Sequence, residues 1–330
     1  MFFNSLMIGT LISISSTSWI GMWMGLEINL LSIIPLMNSK NNLLSSEASL
    51  KYFITQALAS TTLIFSIIFM LNNIPLLFNF KNNLMLMFNS ALLTKMGAAP
   101  FHFWFPEIID GLSWLNSLMI LTWQKIAPMI ILMYNLNFPL FFNFIIITSM
   151  LISGIMGFNQ TSLRKILTYS SINHIAWMMA AMFNYESIWF FYFIVYTIIT
   201  INIILIFNLI NVFYMKQLFI MLNNNFPLKF FFIMNFLSLG GLPPFLGFMP
   251  KWLTIENLVK NNMMTLAIIM VILTLITLFF YIRLTFSTLT LIINEPNFSL
   301  KNKFNSFFIM SSNFLSITSL VLCTILLNMT

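Results

Sequence analysis

Three lysines and one glutamate lie inside long hydrophobic stretches of the chain: Lys95, Lys125, Lys251 and Glu27. Elsewhere the chain is nearly free of charge, with 6% charged residues against 60% hydrophobic ones. A charged side chain at the centre of a bilayer costs about 2.5–3.5 kcal/mol on insertion scales. A protein that keeps four such groups in apolar segments is therefore expected to handle charge, with a proton or a small ion as its cargo.

The surroundings of Lys95 predict a protein neighbour. Ala91, Ala98 and Ala99 lie at helical spacing from Lys95, and small residues allow another helix to approach closely. Glu27 is the only carboxylate well inside a predicted span, and an unpaired carboxylate there would be protonated. We therefore predict a Glu27–Lys95 ion pair. The competing interpretations are a lysine that extends to the membrane interface and a neutral glutamate that bonds to the backbone.

The other two lysines lie beside prolines. Pro128 follows Lys125 by three residues and is expected to kink the helix, so we predict Lys125 to be a central proton carrier, with a structural salt bridge as the alternative. Lys251 follows Pro250 and precedes Trp252. Without a helix break nearby, Lys251 would be read as an interfacial lysine beside an aromatic anchor.

The chain lacks the residues that redox chemistry needs. It has two histidines, His102 and His174, and one cysteine, Cys323, which are too few for haem pairs or thiolate metal clusters. No nucleotide-binding loop is present. We expect no cofactor and no metal in this chain. His102 and His174 are candidate proton relays, with hydrogen-bonded structural roles as the alternative.

The elements that must hold these groups are transmembrane helices. A span needs about 20 mainly apolar residues, and only helices or closed barrels satisfy the backbone in lipid. The long apolar runs and the mean hydropathy of +0.96 predict an all-α polytopic membrane protein of about 11 helices and exclude a soluble globule. The predicted spans cover about residues 3–18, 20–37, 50–71, 83–105, 108–134, 139–158, 164–183, 187–213, 229–257, 262–284 and 305–327.

A motif occurs twice, with an offset of 144 residues. The pattern G-x-x-P-F-x-x-x-x-P begins at Gly97 and again at Gly241, in the predicted fourth and ninth helices. Five helices apart, the two copies cross the membrane in opposite senses, and interrupted helices at matching positions of inverted repeats indicate a transport site. Chance is the alternative, since Gly and Pro are common in membrane helices. The predicted helix breaks are Gly97, Pro100, Pro128, Gly241, Pro243 and Pro244.

This repeat divides the chain. We predict a first inverted repeat over 1–137, a second over 138–284, and a loop with a C-terminal transmembrane helix over 285–330. The interrupted helices are those at about 83–105 and 229–257.

Basic residues in short loops predict the orientation. Loops after odd-numbered helices hold only Lys81 and Lys260. The N-terminus is therefore placed on the positive side and the C-terminus opposite. The net charge of +7 is spread singly and predicts no nucleic-acid partner. Loops after even-numbered helices, with their flanks, hold Lys40, Lys51, Arg164, Lys165, Lys216, Lys229, Arg283, Lys301 and Lys303.

Several motifs resemble one known family. The chain resembles mitochondrial NADH dehydrogenase subunit 2, a family of antiporter-like membrane subunits of respiratory complex I, and its Phe- and Asn-rich composition resembles an arthropod copy. The resemblance covers the whole chain and is strongest from about 19 to 255. The motifs that carry it are Trp23–Asn29, Glu47–Phe53, Gly97–Trp104, Leu121–Pro128, Asn159–Lys165, and Leu239–Pro244 continuing to Lys251-Trp252.

The resemblance implies a proton-pumping subunit of NADH:ubiquinone oxidoreductase. The family's Glu–Lys pair and further lysines fall on Glu27, Lys95, Lys125 and Lys251. NAD, FMN, iron–sulfur clusters and ubiquinone are then expected in other subunits, and the partners are other membrane-arm subunits and membrane lipids such as cardiolipin. The implied location is the mitochondrial inner membrane, with the N-terminus on the matrix side and the C-terminus on the intermembrane-space side. A stand-alone cation/proton antiporter and a structural anchor subunit are the alternatives.

Overall fold

The computed structural model describes residues 1–39, 42–71, 81–183, 185–223, 226–290 and 311–314. Within these ranges the chain forms α-helices joined by turns, with one isolated β-bridge between Ser162 and Tyr214. The helices are α1 Phe2–Ser15, α2 Trp19–Met37, α3 Leu43–Leu71, α4 Lys81–Met96, α5 Trp104–Gly111, α6 Trp114–Leu121, α7 Trp123–Met133, α8 Pro139–Phe158, α9 Leu163–Met182, α10 Glu186–Ile210, α11 Met215–Asn223, α12 Phe226–Gly240, α13 Phe248–Lys260 and α14 Met264–Thr290.

Six helical segments in the described residues are long and apolar enough to cross a membrane. Two shorter helices, α1 and α12, are also apolar. This confirms the predicted class, an all-helical polytopic membrane protein. The six long segments are Trp19–Met37, Leu43–Leu71, Trp114–Met133, Pro139–Phe158, Glu186–Ile210 and Met264–Thr290.

The helix boundaries differ from the predicted spans in places. The span predicted at 108–134 consists of the end of α5 followed by α6 and α7, and α11 was not predicted. The predicted C-terminal helix at 305–327 lies outside the described residues except for 311–314. The residues named in the predictions that also lie outside them are Lys40, Lys301, Lys303 and Cys323.

The chain divides into two compact units, Met1–Thr148 and Ser149–Thr330. In the first unit, α1 and α2 pack closely because glycines line their contact. A Cβ added at Gly25 would lie 2.5 Å from the backbone nitrogen of Ser13, and one at Gly9 would lie 3.0 Å from that of Asn29. Glycine therefore lets the two backbones touch, as small residues do in membrane helix pairs.

Both copies of the repeated motif end a helix in the same way. Gly97 follows α4 with φ +76°, and Gly241 follows α12 with φ +77°. The amide of Ala98 donates to the carbonyl of Leu93 at 3.1 Å, which is the Schellman arrangement of a helix C-terminus with glycine in the left-handed region. In the second copy, the amide of Leu242 donates to Leu237 at 3.4 Å.

The prolines of the motif act after the helix has ended. Pro100 lies beyond the end of α4, so it interrupts no intrahelical bond. The last proline of each copy, Pro106 or Pro250, lies in the first turn of the following helix, where the missing N–H is not needed. The helix ends at glycine because of its backbone freedom, and the prolines restrict the segment that leads to the next helix.

Candidate functional site

Lys95 lies in the last turn of α4, where the helix ends inside the unit. Its side chain is buried, with 7% of the residue exposed. Two neighbouring side chains hold the end of the helix, because Gln56 Nε2 donates to the carbonyl of Lys95 at 3.4 Å and Trp104 Nε1 donates to that of Thr94 at 3.1 Å. The carbonyl groups of a helix end require such donors when they are buried.

A small polar cavity lies beside Lys95. The space for the centres of water molecules is about 10 Å³, near the size that holds one water. Two of the side chains that line it bond to each other, because Gln124 Nε2 donates to Asn29 Oδ1 at 2.9 Å. The lining residues are Leu26, Asn29, Leu30, Tyr52, Gln56, Lys95, Gln124 and Pro128.

Glu27 lies on α2 and is half-buried. The structure does not give it the predicted contact, because Glu27 and Lys95 make no direct ion pair among the described residues. The carboxylate attracts the Lys95 ammonium through longer-range electrostatics. The residue of α2 that reaches the cavity beside Lys95 is Asn29, two positions further along the helix.

Lys125 is among the largest fully buried side chains of the chain, with 1% of the residue exposed. Its Nζ lies 5.5 Å from the centre of the Phe105 ring, so the ring face is close to the ammonium. Lys125 belongs to the first turn of α7, which begins directly after Thr122.

The interruption near Lys125 lies at Thr122 and not at Pro128. Pro128 lies inside α7, which continues to Met133, so its place as a helix break was predicted wrongly. A proline ring disturbs the turn that precedes it, and here the Lys125 amide bonds to the Thr122 carbonyl, three residues back, at 3.3 Å. The Thr122 hydroxyl donates to Leu118 at 2.7 Å and takes part in the same irregular turn.

Lys251 lies on α13 and closes the end of the interrupted helix α12. Its Nζ donates to the carbonyls of Leu239 at 3.2 Å and Gly240 at 2.9 Å. A cation at a helix C-terminus is favourable because the macrodipole is negative there. The face of Trp177 lies 5.9 Å from the same nitrogen. The residue is 7% exposed, so the side chain is buried inside its unit.

Gly241 leaves the space that Lys251 occupies. A Cβ added at Gly241 would lie 2.8 Å from Lys251 Cδ and 2.9 Å from Nζ. The positive φ also favours glycine at this position. The second copy of the motif thus combines a helix end with a lysine that binds it.

The two histidines occupy different kinds of site. His102 follows Pro100 and its Nδ1 donates to the Pro100 carbonyl at 3.3 Å. His174 lies on α9, and its Nδ1 shares a hydrogen bond of 2.9 Å with the Tyr192 hydroxyl. The His174 ring also lies 5.1 Å from that of Tyr196. His174 and Pro250 line one small cavity of the second unit.

Several polar residues of the site were missed by sequence reasoning. Asn29, Gln56 and Gln124 surround the cavity, while Asn89 and Asn135 bond to each other between α4 and the end of α7 at 2.9 Å. Asn recurs throughout this chain, so no single asparagine stood out. Asn29 and Gln124 could have been found from the sequence, because each is a neutral amide within two residues of Glu27 or Lys125 in an apolar run.

Three ion pairs in the described residues lie at the surface. Lys51 pairs with Glu47 at 2.9 Å and with Glu107 at 3.0 Å, and Lys260 pairs with Glu256 at 2.7 Å. All five side chains are at least 42% exposed. The part of the chain that the structure describes contains no group of three or more His, Cys, Asp or Glu that could hold a metal.

Comparison with known proteins identifies the relatives of this chain. Residues 16–277 match the family model described as NADH:quinone oxidoreductase/Mrp antiporter, TM. The NADH-ubiquinone oxidoreductase chain 2 of Anopheles gambiae is 51% identical over 99% of this chain and 97% of its own. The protein of the same name from Aedes aegypti is 52% identical over the same shares.

Solved structures show the same fold at low identity. A chain of respiratory complex I from Thermus thermophilus with bound aureothin superimposes with a TM-score of 0.86 at 20% identity, covering 96% of this chain and 76% of that one. A chain of the Mrp complex from Dietzia sp. gives a TM-score of 0.75 at 15% identity over 91% of this chain and 62% of that one. With this fold, the matched family model and insect relatives aligned over nearly their whole length, the chain belongs to the family of NADH-ubiquinone oxidoreductase chain 2.

Proposed function

We propose that the chain is a proton-translocating membrane-arm subunit of NADH:ubiquinone oxidoreductase in the mitochondrial inner membrane. The observation that carries this proposal is the burial of three lysines, Lys95, Lys125 and Lys251, none more than 7% exposed. Each lies beside the end or the interruption of a helix. Buried lysines in apolar helices mark ion and proton paths in membrane proteins.

The proton path uses the lysines as successive carriers. When the electrostatic hold of Glu27 on Lys95 changes, the Lys95 ammonium gives a proton through water to the amine of Lys125. Lys125 passes it on toward Lys251, which exchanges with one side of the membrane. His102 and His174 are candidate relays in this path. The drive comes from redox chemistry in other subunits, which bind NAD, FMN, the iron–sulfur clusters and ubiquinone, through a change in the populations of two states.

The architecture that suits this path has about 11 transmembrane helices in two inverted repeats, over 1–137 and 138–284, and a C-terminal helix. The nearly equal φ values of Gly97 and Gly241, +76° and +77°, support a repeat in which both copies of the motif end a helix. The N-terminus lies on the matrix side and the C-terminus on the intermembrane-space side. The partners are further antiporter-like subunits of the membrane arm and lipids such as cardiolipin, and no nucleic acid is involved.

A Lys125→Leu variant of the assembled complex tests the function. We expect NADH:ubiquinone turnover to slow and the number of protons moved per electron to fall, because the path loses its central carrier. Lys260→Met is the control, since Lys260 is 68% exposed in its side chain and lies outside the path. A Lys125→Leu complex that assembles and pumps with the normal stoichiometry would instead support a purely structural anchor subunit.

A stand-alone cation/proton antiporter is the second candidate, favoured by the matched family model, which also covers Mrp antiporters. The purified chain in liposomes separates the two functions. We expect no exchange of protons for sodium or potassium under an imposed gradient, because the drive lies in other subunits. Exchange by the chain alone would establish the antiporter.

A further inference from the structure

Neutral amides connect the helices that carry the charged residues of the first unit. Asn29 on α2 and Gln124 on α7 share a hydrogen bond of 2.9 Å. Asn29 lies two residues after Glu27, and Gln124 directly precedes Lys125. The bond therefore joins the helix of the glutamate to the helix of the central lysine at the level of those two residues.

The same amides face the third charged group. Asn29 and Gln124 line the cavity of about 10 Å³ that Lys95 also lines. Gln56 also lines this cavity, and its Nε2 donates to the Lys95 carbonyl at 3.4 Å. Both Asn29 and Gln56 are buried, at 3% and 4% exposure. Amides from α2, α3 and α7 thus surround the end of α4.

Proton transfer between amines is sensitive to such alignment. A misplacement of about 1 Å, caused by a change away from the reacting atoms, can slow a reaction by about 100-fold. The irregular turn at Thr122 leaves the start of α7 without a regular helical connection to α6, because the Lys125 amide bonds three residues back. A side-chain bond at Gln124 restrains α7 at this point, next to Lys125.

We propose that Asn29 and Gln124 are positioning residues for proton transfer between Lys95 and Lys125. Their hydrogen bond fixes α7 against α2, and so holds the residue before Lys125 at the cavity that Lys95 lines. They carry no proton themselves. This inference rests on the proposed function, which supplies the transfer that the pair aligns.

The test uses the assembled complex with Gln124→Met, which keeps the length of the side chain and removes its hydrogen bonding. We expect coupled proton uptake to fall about 10-fold to 100-fold, with normal assembly and an unchanged KM for quinone. Asn29→Leu tests the same bond from the other helix if Gln124→Met does not assemble. The exchanged pair Asn29→Gln with Gln124→Asn restores the combined length of the two amides, so we expect uptake to recover.

Asn116→Leu is the matched control. It removes an amide bond of 2.9 Å from α6 to the Leu36 carbonyl of α2, but Asn116 does not line the cavity and lies on neither lysine's helix. We expect uptake to stay near normal. Normal uptake in Gln124→Met, an equal loss in Asn116→Leu, or no recovery in the exchanged pair would overturn the positioning role. If Lys125→Leu also pumps normally, the proposed function has failed; if Lys125→Leu is defective, only the positioning role has failed.

Discussion

Two buried lysines in the part of the chain that the structure describes contact carbonyl groups or an aromatic ring. Lys251 binds two carbonyls at the end of α12, and Lys125 lies beside the Phe105 ring. A carbonyl or a ring attracts a cation without forming a fixed ion pair. Among the described residues, direct ion pairs are found at the surface, as between Lys260 and Glu256. The proposed proton path uses amines in surroundings of this kind.

Gly241→Ala tests the contact between Lys251 and the helix end. The added Cβ would lie 2.9 Å from Lys251 Nζ, and the left-handed backbone costs about 1–3 kcal/mol for a residue other than glycine. We expect a lower midpoint of thermal inactivation for the purified complex and reduced proton pumping. Gly240→Ala is the control, because its Cβ would meet nothing closer than 3.7 Å. Equal behaviour of the two variants would contradict this account.

The sequence predicts the buried lysines better than their partners. A charge in an apolar run is conspicuous, so Lys95, Lys125 and Lys251 could be selected from the free energy of insertion alone. The predicted ion pair between Glu27 and Lys95 is not found in the described ranges, because the distance between two side chains depends on how α2 packs against its neighbours, which the sequence does not show. The amide of Gln56 was missed for the same reason: it meets Lys95 from a different helix.

At the scale of helices, the ends of α4 and α12 are built differently although their glycines are equivalent. The side chain of Trp104 donates to a carbonyl at the end of α4, while Lys251 binds the end of α12. Because Trp104 donates to the carbonyl at the end of α4, the Lys95 side chain is not needed to bind that helix end. The two ends therefore provide one lysine beside a cavity and one lysine on a helix end.

Trp104→Phe tests the neutral donor. The ring remains but the Nε1–H that bonds to the Thr94 carbonyl at 3.1 Å is lost. We expect a loss of about 0.5–1.5 kcal/mol in stability, measured as a lower thermal midpoint of the complex. Trp252→Phe, at a residue that is 46% exposed, should change the midpoint less. A larger change for Trp252→Phe would count against the assigned bond.

Gly25→Ala tests the packing of α1 against α2. The added Cβ would lie 2.5 Å from a backbone atom of Ser13, which cannot move without separating the helices. We expect a loss of about 1–3 kcal/mol, as for overpacked cores, seen as less assembled complex at steady state. Gly240→Ala is the control because its Cβ would meet nothing closer than 3.7 Å. Similar amounts of both variants would contradict the close packing.

Helix existence was predictable from apolar run length, whereas interruptions were predictable only in part. The glycine and proline motif marked the ends of α4 and α12, but it did not say that glycine ends the helix while the prolines follow. The irregular turn at Thr122 has no Gly or Pro of its own. At this turn the Thr122 hydroxyl donates to the Leu118 carbonyl, a local contact that composition does not reveal.

At the scale of the whole molecule, composition determines the class of protein. With 60% hydrophobic residues, the chain must place apolar side chains on its outside as well as inside. Ile268, Ile272 and Leu275 of α14 are all more than half exposed, as expected for helices that face lipid or partner subunits. Such a global property is readable from the sequence, while the arrangement of the helices is not.

The predicted orientation can be tested by the accessibility of the N-terminus. The sequence prediction places most loop lysines and arginines on the side of the N-terminus, and short basic loops are expected to stay on the matrix side. An epitope at Met1 is therefore expected to resist protease in mitoplasts and to be cleaved in inside-out inner-membrane vesicles. An epitope at Thr330 should give the reverse result. Cleavage of the N-terminal epitope in sealed mitoplasts would show that the orientation is inverted.

The amide bond between Asn29 and Gln124 has one further consequence. Asparagine and glutamine do not gain or lose protons at any physiological pH, so their contact has the same strength before and after each proton passes. A scaffold made of carboxylates and ammonium groups would loosen or tighten at every cycle. In the path proposed above, this contact between α2 and α7 therefore stays the same whether the neighbouring lysines are protonated or not.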